Sequence, residues 1–348
     1  MTKIQSLRDR DTTFDISAGL ELLRLPERFK GTSFGSYIPN PNYPSQELAL
    51  KKSIEFVTSI EKESSRSPLR RRFSSDKRAS ARGIYLDGGF GVGKSHLLSS
   101  IYERAPEPKA FASFIDLVNV VGAFGFERAY ETIRGLNLIC IDEFELDDPA
   151  ETVLIANLLN RARRDGLFIA ATSNTLPEKL GDGRFAAQDF LREIQSLRDA
   201  FEVITIDGPD YRATNFSTQI DAMDSTVLLE KITSVSTLVT TLDPLEKLLG
   251  HLTKAHPIMF KRMIEPFDAI IASDGWTIDS ISNGLRLVVF IDRCYESMTP
   301  FVIGEITLSD LFSEQLMASG YRKKFGRAIS RLIQMRYEIG SAIDGIRQ

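Results

Sequence analysis

Cysteine is nearly missing from this sequence: Cys140 and Cys294 are the two among 348 residues. Two thiols make neither a disulfide framework nor a cysteine-based metal cluster, and the expected compartment is a reducing, cytoplasmic one. Histidine is almost as scarce, at three residues. His251 and His256 are not spaced with other ligand types, so no histidine metal site is expected. No run of about 18 uncharged apolar residues occurs, which excludes an expected membrane-spanning helix and leaves peripheral membrane association open. The start, Met1-Thr2-Lys3-Ile4-Gln5-Ser6-Leu7-Arg8-Asp9-Arg10, lacks the apolar stretch of a secretory signal. Core-forming residues are not short: 43% hydrophobic and 26% charged are globular proportions that exclude wholesale disorder.

A strong overall charge is absent as well, since the net value is −4. The balance is nevertheless local. Arg66, Arg70, Arg71, Arg72, Lys77, Arg78 and Arg82 stand against Asp76 alone, a local +6 that leaves −10 for the rest of a chain totalling −4. A globally acidic protein is not a general nucleic-acid binder, while the basic stretch keeps a local anionic contact open.

Prolines 39, 41 and 44 forbid a helix before residue 44. From there Leu48, Leu50, Ile54, Phe56, Val57 and Ile60 predict one, with Ser45 as its N-cap. Residues 62–82 read as an exposed Ser/Arg-rich loop. Short apolar runs then alternate with helical stretches. Strands are expected at 83–87, 110–115, 136–142, 166–172 and 201–206, with helices at 94–104, 116–134 and 149–165. That alternation predicts an α/β core, a parallel sheet with helices on both faces. The C-terminal part is less legible. Strands at 276–278 and 300–303 and helices at 283–297, 308–317 and 321–339 describe a mixed α/β or helical lid region. The expected division is an N-terminal segment with the first helix and basic loop (1–82), a core (83–212) and a C-terminal region (213–348).

Within the core, Gly88-Gly89-Phe90-Gly91-Val92-Gly93-Lys94-Ser95 satisfies G-x-x-x-x-G-K-[ST] between an expected strand and an expected helix. Glycines let the backbone turn several N–H groups onto one phosphate chain, and the helix adds its positive end. Lys94 would meet the β- and γ-phosphates, and the Ser95 hydroxyl would ligate Mg²⁺. His96 follows directly and is counted with the loop. The run Leu138-Ile139-Cys140-Ile141 ends in Asp142-Glu143. Asp142 is expected in the Mg²⁺ shell, and Glu143 as the base that activates the attacking water. Cys140, inside the strand, reads as a small buried hydrophobe. Ala170-Ala171-Thr172-Ser173-Asn174 ends the next strand; Asn174 is the candidate for holding that water, with Thr172 as second choice. Arg184 and Arg192 are candidates for an arginine that reaches a neighbouring subunit's γ-phosphate. Arg212 is a further candidate for a structural or nucleotide-sensing arginine, and Arg286 and Arg331, on C-terminal helices, are candidates for a lid-side arginine that senses nucleotide.

The phosphate loop, the Asp-Glu strand end and the Thr-Ser-Asn strand end occur in the order found in AAA+ ATPases. Four segments go further: Tyr37-Ile-Pro39-Asn40-Pro41 with Pro44-Ser45-Gln46, the stretch Tyr85–Leu98, Ile141-Asp142-Glu143-Phe144, and Asp207-Gly-Pro-Asp210-Tyr211-Arg212. Together they resemble the ZapE cell-division ATPases and their mitochondrial AFG-one-like relatives, from about Tyr37 to Arg212. The resemblance implies a P-loop NTPase fold of AAA+ type and an Mg²⁺-dependent ATPase that assembles as a homo-oligomer. It also implies action near the bacterial division ring, with the tubulin-like protein FtsZ as partner, and a place for Gln46 near the adenine edge. Val120–Phe126 lacks the aromatic-apolar-glycine order of a pore loop. Two other readings stay open: a nucleic-acid-associated ATPase of helicase-loader type, favoured by the basic stretch, and a nucleotide-switched scaffold with little turnover, against which Glu143 argues.

Overall fold

The computed structural model describes residues 3–65, 83–89, 91–144, 149–174, 195–196, 199–209, 230, 232 and 238–346. The chain packs as two compact units, Gly19–Asn215 and Met1–Ala18 with Phe216–Gln348. The sequence reading places its divisions after residues 82 and 212. By packing, the first 18 residues go with the C-terminal part.

In the central unit, five strands form one parallel sheet. They are β2 (Gly83–Gly88), β3 (Lys109–Ser113), β4 (Leu138–Asp142), β5 (Phe168–Ser173) and β6 (Phe201–Ile206), in the order β3-β4-β5-β2-β6. Strand alternation sorts their side chains onto two faces. Ile84, Leu86, Leu138, Cys140, Phe168, Ala170, Ile204 and Ile206 face one way. They are covered by α2 (Pro44–Ser64) and α3 (Lys94–Arg104). Tyr85, Ile139, Ile141, Ile169 and Ala171 face the other. There they meet α4 (Phe114–Phe124), α5 (Phe126–Ile133) and α6 (Pro149–Arg164). Burial on both sides is why β2, β4 and β5 read as continuous apolar runs, while β6, at the edge, buries one face only.

Three local details depart from the sequence reading. The second strand stops at Ser113 because Ser113 and Asp116 form a reciprocal capping box that starts α4 at Phe114. The expected helix 116–134 is two helices, broken at Gly125, whose φ of 79° no helix accommodates. Ser45 is not the N-cap of α2. Pro44 occupies the first helical turn, where its missing N–H is no loss, and the Ser45 hydroxyl instead accepts from the Asp207 N–H at 2.9 Å.

The flanking unit is also α/β, which decides between the two C-terminal alternatives. Strands β1 (Lys3–Gln5), β7 (Val239–Pro244), β8 (Ala269–Ser273) and β9 (Phe301–Ile303) form a second parallel sheet in the order β1-β7-β8-β9. The expected strand at 276–278 is displaced to β8, and Ile278 makes only an isolated bridge to Phe312. Asp243, at the end of β7, binds the N-terminal segment: its carboxylate accepts from Ser6 Oγ at 2.5 Å, Leu7 N–H at 2.7 Å and Arg8 Nε at 2.8 Å. Two long helices, Ile281–Glu296 and Arg322–Ile346, pack together in this unit around Asp292, which pairs with Arg331 and, at 3.0 Å, with Arg327. No helix among the described residues is long and apolar enough to cross a membrane.

Candidate nucleotide site

The strand order decides where chemistry can gather. The chain leaves β2 toward β3 and leaves β5 toward β6, in opposite directions across the sheet. Such a reversal opens a crevice at the carboxyl ends of the strands. The carboxyl ends of β2, β5 and β4, three consecutive strands, carry the glycine loop, the Thr172–Asn174 segment and the Asp142-Glu143 pair.

The loop between β2 and α3 is held tightly. Gly93 stands at φ 91°, and a Cβ there would lie 2.6 Å from the Tyr37 ring. At Gly88 a Cβ would meet the Ile206 carbonyl at 2.3 Å, so neither position takes a side chain. Lys94 opens α3 and is buried; its Nζ donates to the carbonyls of Gly88, at 2.8 Å, and Gly89, and to Asn174 Oδ1 at 2.9 Å. The ammonium and the candidate water-holding amide are therefore in direct contact.

Beside it, Ser95 Oγ donates to Asp142 Oδ1 at 3.0 Å. The Thr172 hydroxyl donates to the same carboxylate oxygen at 2.5 Å and accepts the Glu143 N–H at 3.0 Å. Glu143 has φ 54°, a left-handed conformation that costs a non-glycine residue on the order of 1–3 kcal/mol. The next residue holds that turn. The Phe144 N–H donates to the Thr172 carbonyl at 2.7 Å, and its buried ring meets Tyr85 and Phe114 edge to face.

A Mg²⁺ ion fits the donors present. Ser95 Oγ and an Asp142 carboxylate oxygen are hard oxygen ligands within hydrogen-bonding reach, and this ion takes one or two such protein ligands alongside phosphate and water. No cluster of three or more His, Cys, Asp or Glu side chains suited to a metal exists among the described residues. Cys140 is fully buried in β4, and burial pushes its thiol well above the ordinary range, as suits a small hydrophobe and not a nucleophile.

A second layer locks the loop from the N-terminal side. The Tyr37 hydroxyl donates to the Val92 carbonyl at 3.3 Å, and burial raises its pKa to about 12. His96 Nε2 lies 3.0 Å from Ser36 Oγ and 3.2 Å from the Ser33 carbonyl, with its ring edge to face with Tyr37. Gln46 is buried, and its amide joins two protein segments. Oε1 accepts from Asn40 N–H at 2.9 Å, and Nε2 donates to the Asp207 carbonyl at 3.0 Å. These contacts give Gln46 a bracing role that its sequence position did not announce. Arg331 is likewise accounted for inside the flanking unit, paired with Asp292 and stacked over the Tyr295 ring at 5.0 Å. Phe90, Arg184, Arg192, Arg212 and the basic stretch 66–82 lie outside the described residues.

Comparison with known proteins adds the family. Over 148 residues the chain is 28% identical to the cell division protein ZapE of Escherichia coli K12, covering 39% of this chain and 40% of that protein. An uncharacterised protein of Schizosaccharomyces pombe is 27% identical over 181 residues, covering 44% of this chain and 40% of its own length. The matches thus span about two fifths of these relatives. AMPPCP-bound DnaA from Aquifex aeolicus superposes with a TM-score of 0.37 at 13% identity, over 90% of this chain and 98% of that one. The model of the AFG1-like ATPase family matches residues 17–241, which takes in all five central strands together with the glycine loop and the acidic pair. This chain belongs to the AFG1-like ATPase family.

Proposed function

We propose that the chain is a Mg²⁺-dependent ATP hydrolase. The observation that carries the reading is the convergence of Lys94, Ser95, Asp142, Glu143 and Asn174 on the carboxyl ends of three adjacent strands. Phosphate oxygens carry more charge than the Gly88 and Gly89 carbonyls and would take the Lys94 ammonium from them. Ser95 and Asp142 would hold Mg²⁺, which when bound neutralises charge on the β- and γ-phosphate oxygens. Glu143 would accept the proton of the attacking water, and Asn174 would orient that water. Gln46 could still offer adenine its second Nε2 hydrogen, although its structural bonds explain its burial without one.

The finer reading is a homo-oligomer in which Arg184 or Arg192 of a neighbour completes the site and turnover remodels or regulates a protein assembly. Similarity to a protein named for cell division supports a division-ring partner. The nucleic-acid reading rests on the basic stretch and gains nothing from the site. The test is ATP turnover per subunit against protein concentration, with Glu143→Gln as control. The expected result is specific activity that rises with concentration and is lost in the variant, which still binds ATP. Normal turnover by Glu143→Gln refutes the assignment.

A further inference from the structure

We infer that Thr172 is a positioning residue for hydrolysis, the clamp that sets Asp142 and Glu143 relative to each other; this rests on the ATPase reading above. A threonine hydroxyl has one hydrogen and two lone pairs. Here the hydrogen goes to Asp142 Oδ1 and a lone pair takes the Glu143 N–H. The proton cannot point the other way, because the Glu143 N–H is itself a donor and needs an acceptor. Thr172 therefore has no hydrogen to give a water molecule. Holding the attacking water falls to Asn174, and Thr172 acts on the two acids instead.

The backbone makes the clamp necessary. Glu143 sits in the left-handed region, where a glutamate does not rest unaided. Two consecutive N–H groups, those of Glu143 and Phe144, return to one residue, Thr172, through its Oγ1 and its carbonyl oxygen. The carbonyl bond and the buried Phe144 ring survive any change of the Thr172 side chain. The hydroxyl is then the separable part, linking the expected base to the expected Mg²⁺ ligand through a single atom. A purely structural hydroxyl at a strand end would give no such link.

The experiment compares Thr172→Ser, Thr172→Ala and Thr172→Val with wild type and Glu143→Gln. Steady-state turnover is measured over ATP and Mg²⁺ concentration, with fluorescent ATP-analogue binding and thermal melting alongside. Ser and Ala both remove the methyl group and differ only in the hydroxyl, so their ratio isolates the clamp even if valine or alanine weakens the fold. The expected result is kcat about 100-fold lower in the alanine than in the serine variant. KM for ATP and analogue affinity stay close to wild type, and half-saturating Mg²⁺ rises. Equal kcat in the serine and alanine variants overturns the assignment, as does a loss confined to KM. Turnover that Glu143→Gln leaves intact overturns the ATPase reading itself, and a wild type silent at every concentration overturns both. Turnover that Glu143→Gln abolishes and Thr172→Ala retains overturns the Thr172 clamp alone.

Discussion

Both units build a parallel sheet, yet the chain passes through them differently. In the central unit the order β3-β4-β5-β2-β6 reverses direction beside β2, whereas in the flanking unit β1-β7-β8-β9 advances one way throughout. Right-handed crossovers place helices on both faces where the direction reverses, and the carboxyl ends of the strands part there. That is where Lys94, Ser95, Asp142 and Thr172 meet. Among the described residues the flanking sheet has no reversal, and its strand ends make contacts of their own. Asp243 binds Ser6, Leu7 and Arg8, and the Gly275 N–H donates to the Gly304 carbonyl at 3.1 Å. Part of the buried charge follows the same contrast. Lys94 and Asp142 of the central unit lie at the carboxyl ends of its strands, and Asp292 and Arg331 of the flanking unit lie between two helices. Parallel sheets alone do not make a site; the order of connection does.

The largest expected effect on ATP binding, and the one that would break this comparison, belongs to Lys94. Replacing it with methionine keeps most of the volume and removes a charge-assisted contact to phosphate worth about 3 kcal/mol, or roughly 100-fold in ATP affinity. The expected outcome is lost binding in a protein that melts normally, measured by calorimetric titration with ATP and by thermal scan. Unchanged affinity would mean that the crevice at β2 is not where nucleotide sits.

Next is the charge cluster of the flanking unit. Asp292 is 6% exposed and Arg331 8%, so Asp292→Ala leaves guanidinium charge buried without its carboxylate. Breaking a buried pair from one side costs about 3–5 kcal/mol. The two cysteines separate this from an effect on the other unit, because Cys140 lies in β4 and Cys294 in the helix that carries Asp292. Both are buried and free, and burial pushes both thiols well up. In Asp292→Ala, thiol labelling in mild urea should reach Cys294 before Cys140, with ATP affinity unchanged. Labelling of Cys140 first would overturn the view of this cluster as a brace of the flanking unit.

The same contrast explains what the sequence could and could not disclose. The central strands are short apolar runs between helices, and the site is written as three contiguous motifs, so both are legible from local pattern. β1 has three residues and its partner β7 begins about 230 positions later, with Lys3 opposite Val239. No local periodicity carries that pairing. β7, Val239-Thr-Thr-Leu-Asp-Pro244, is polar and ends in proline, while Trp276 drew the strand assignment away from Ala269–Ser273. Within the site, the residue types were readable but their partners were not. Thr172 looked like a lesser alternative to Asn174 until its hydroxyl was found between the two acids. Gln46, which the resemblance puts near the adenine edge, has its amide bridging Asn40 and Asp207.

The smallest expected effect lies at the surface of the flanking unit and sharpens the contrast with its interior. The Asp15 carboxylate accepts from the Ser17 hydroxyl and backbone N–H and from Arg262. These bonds lower its pKa from 3.8 to about 2. A depressed folded-state pKa means that the carboxylate contributes stability above its unfolded value, and that this contribution is lost as pH falls from about 4 toward 2. The side chain is about half exposed, so solvent and salt screen it and the contribution is small. Thermal melting of wild type and Asp15→Asn should therefore differ slightly at neutral pH and converge as pH drops through that window, with the neutral-pH gap shrinking in high salt. A gap that persisted well below the folded pKa of about 2, where the carboxylate is protonated in both states, would have another source. The substitution would then be acting on the turn at Ser17 and not on an ion pair.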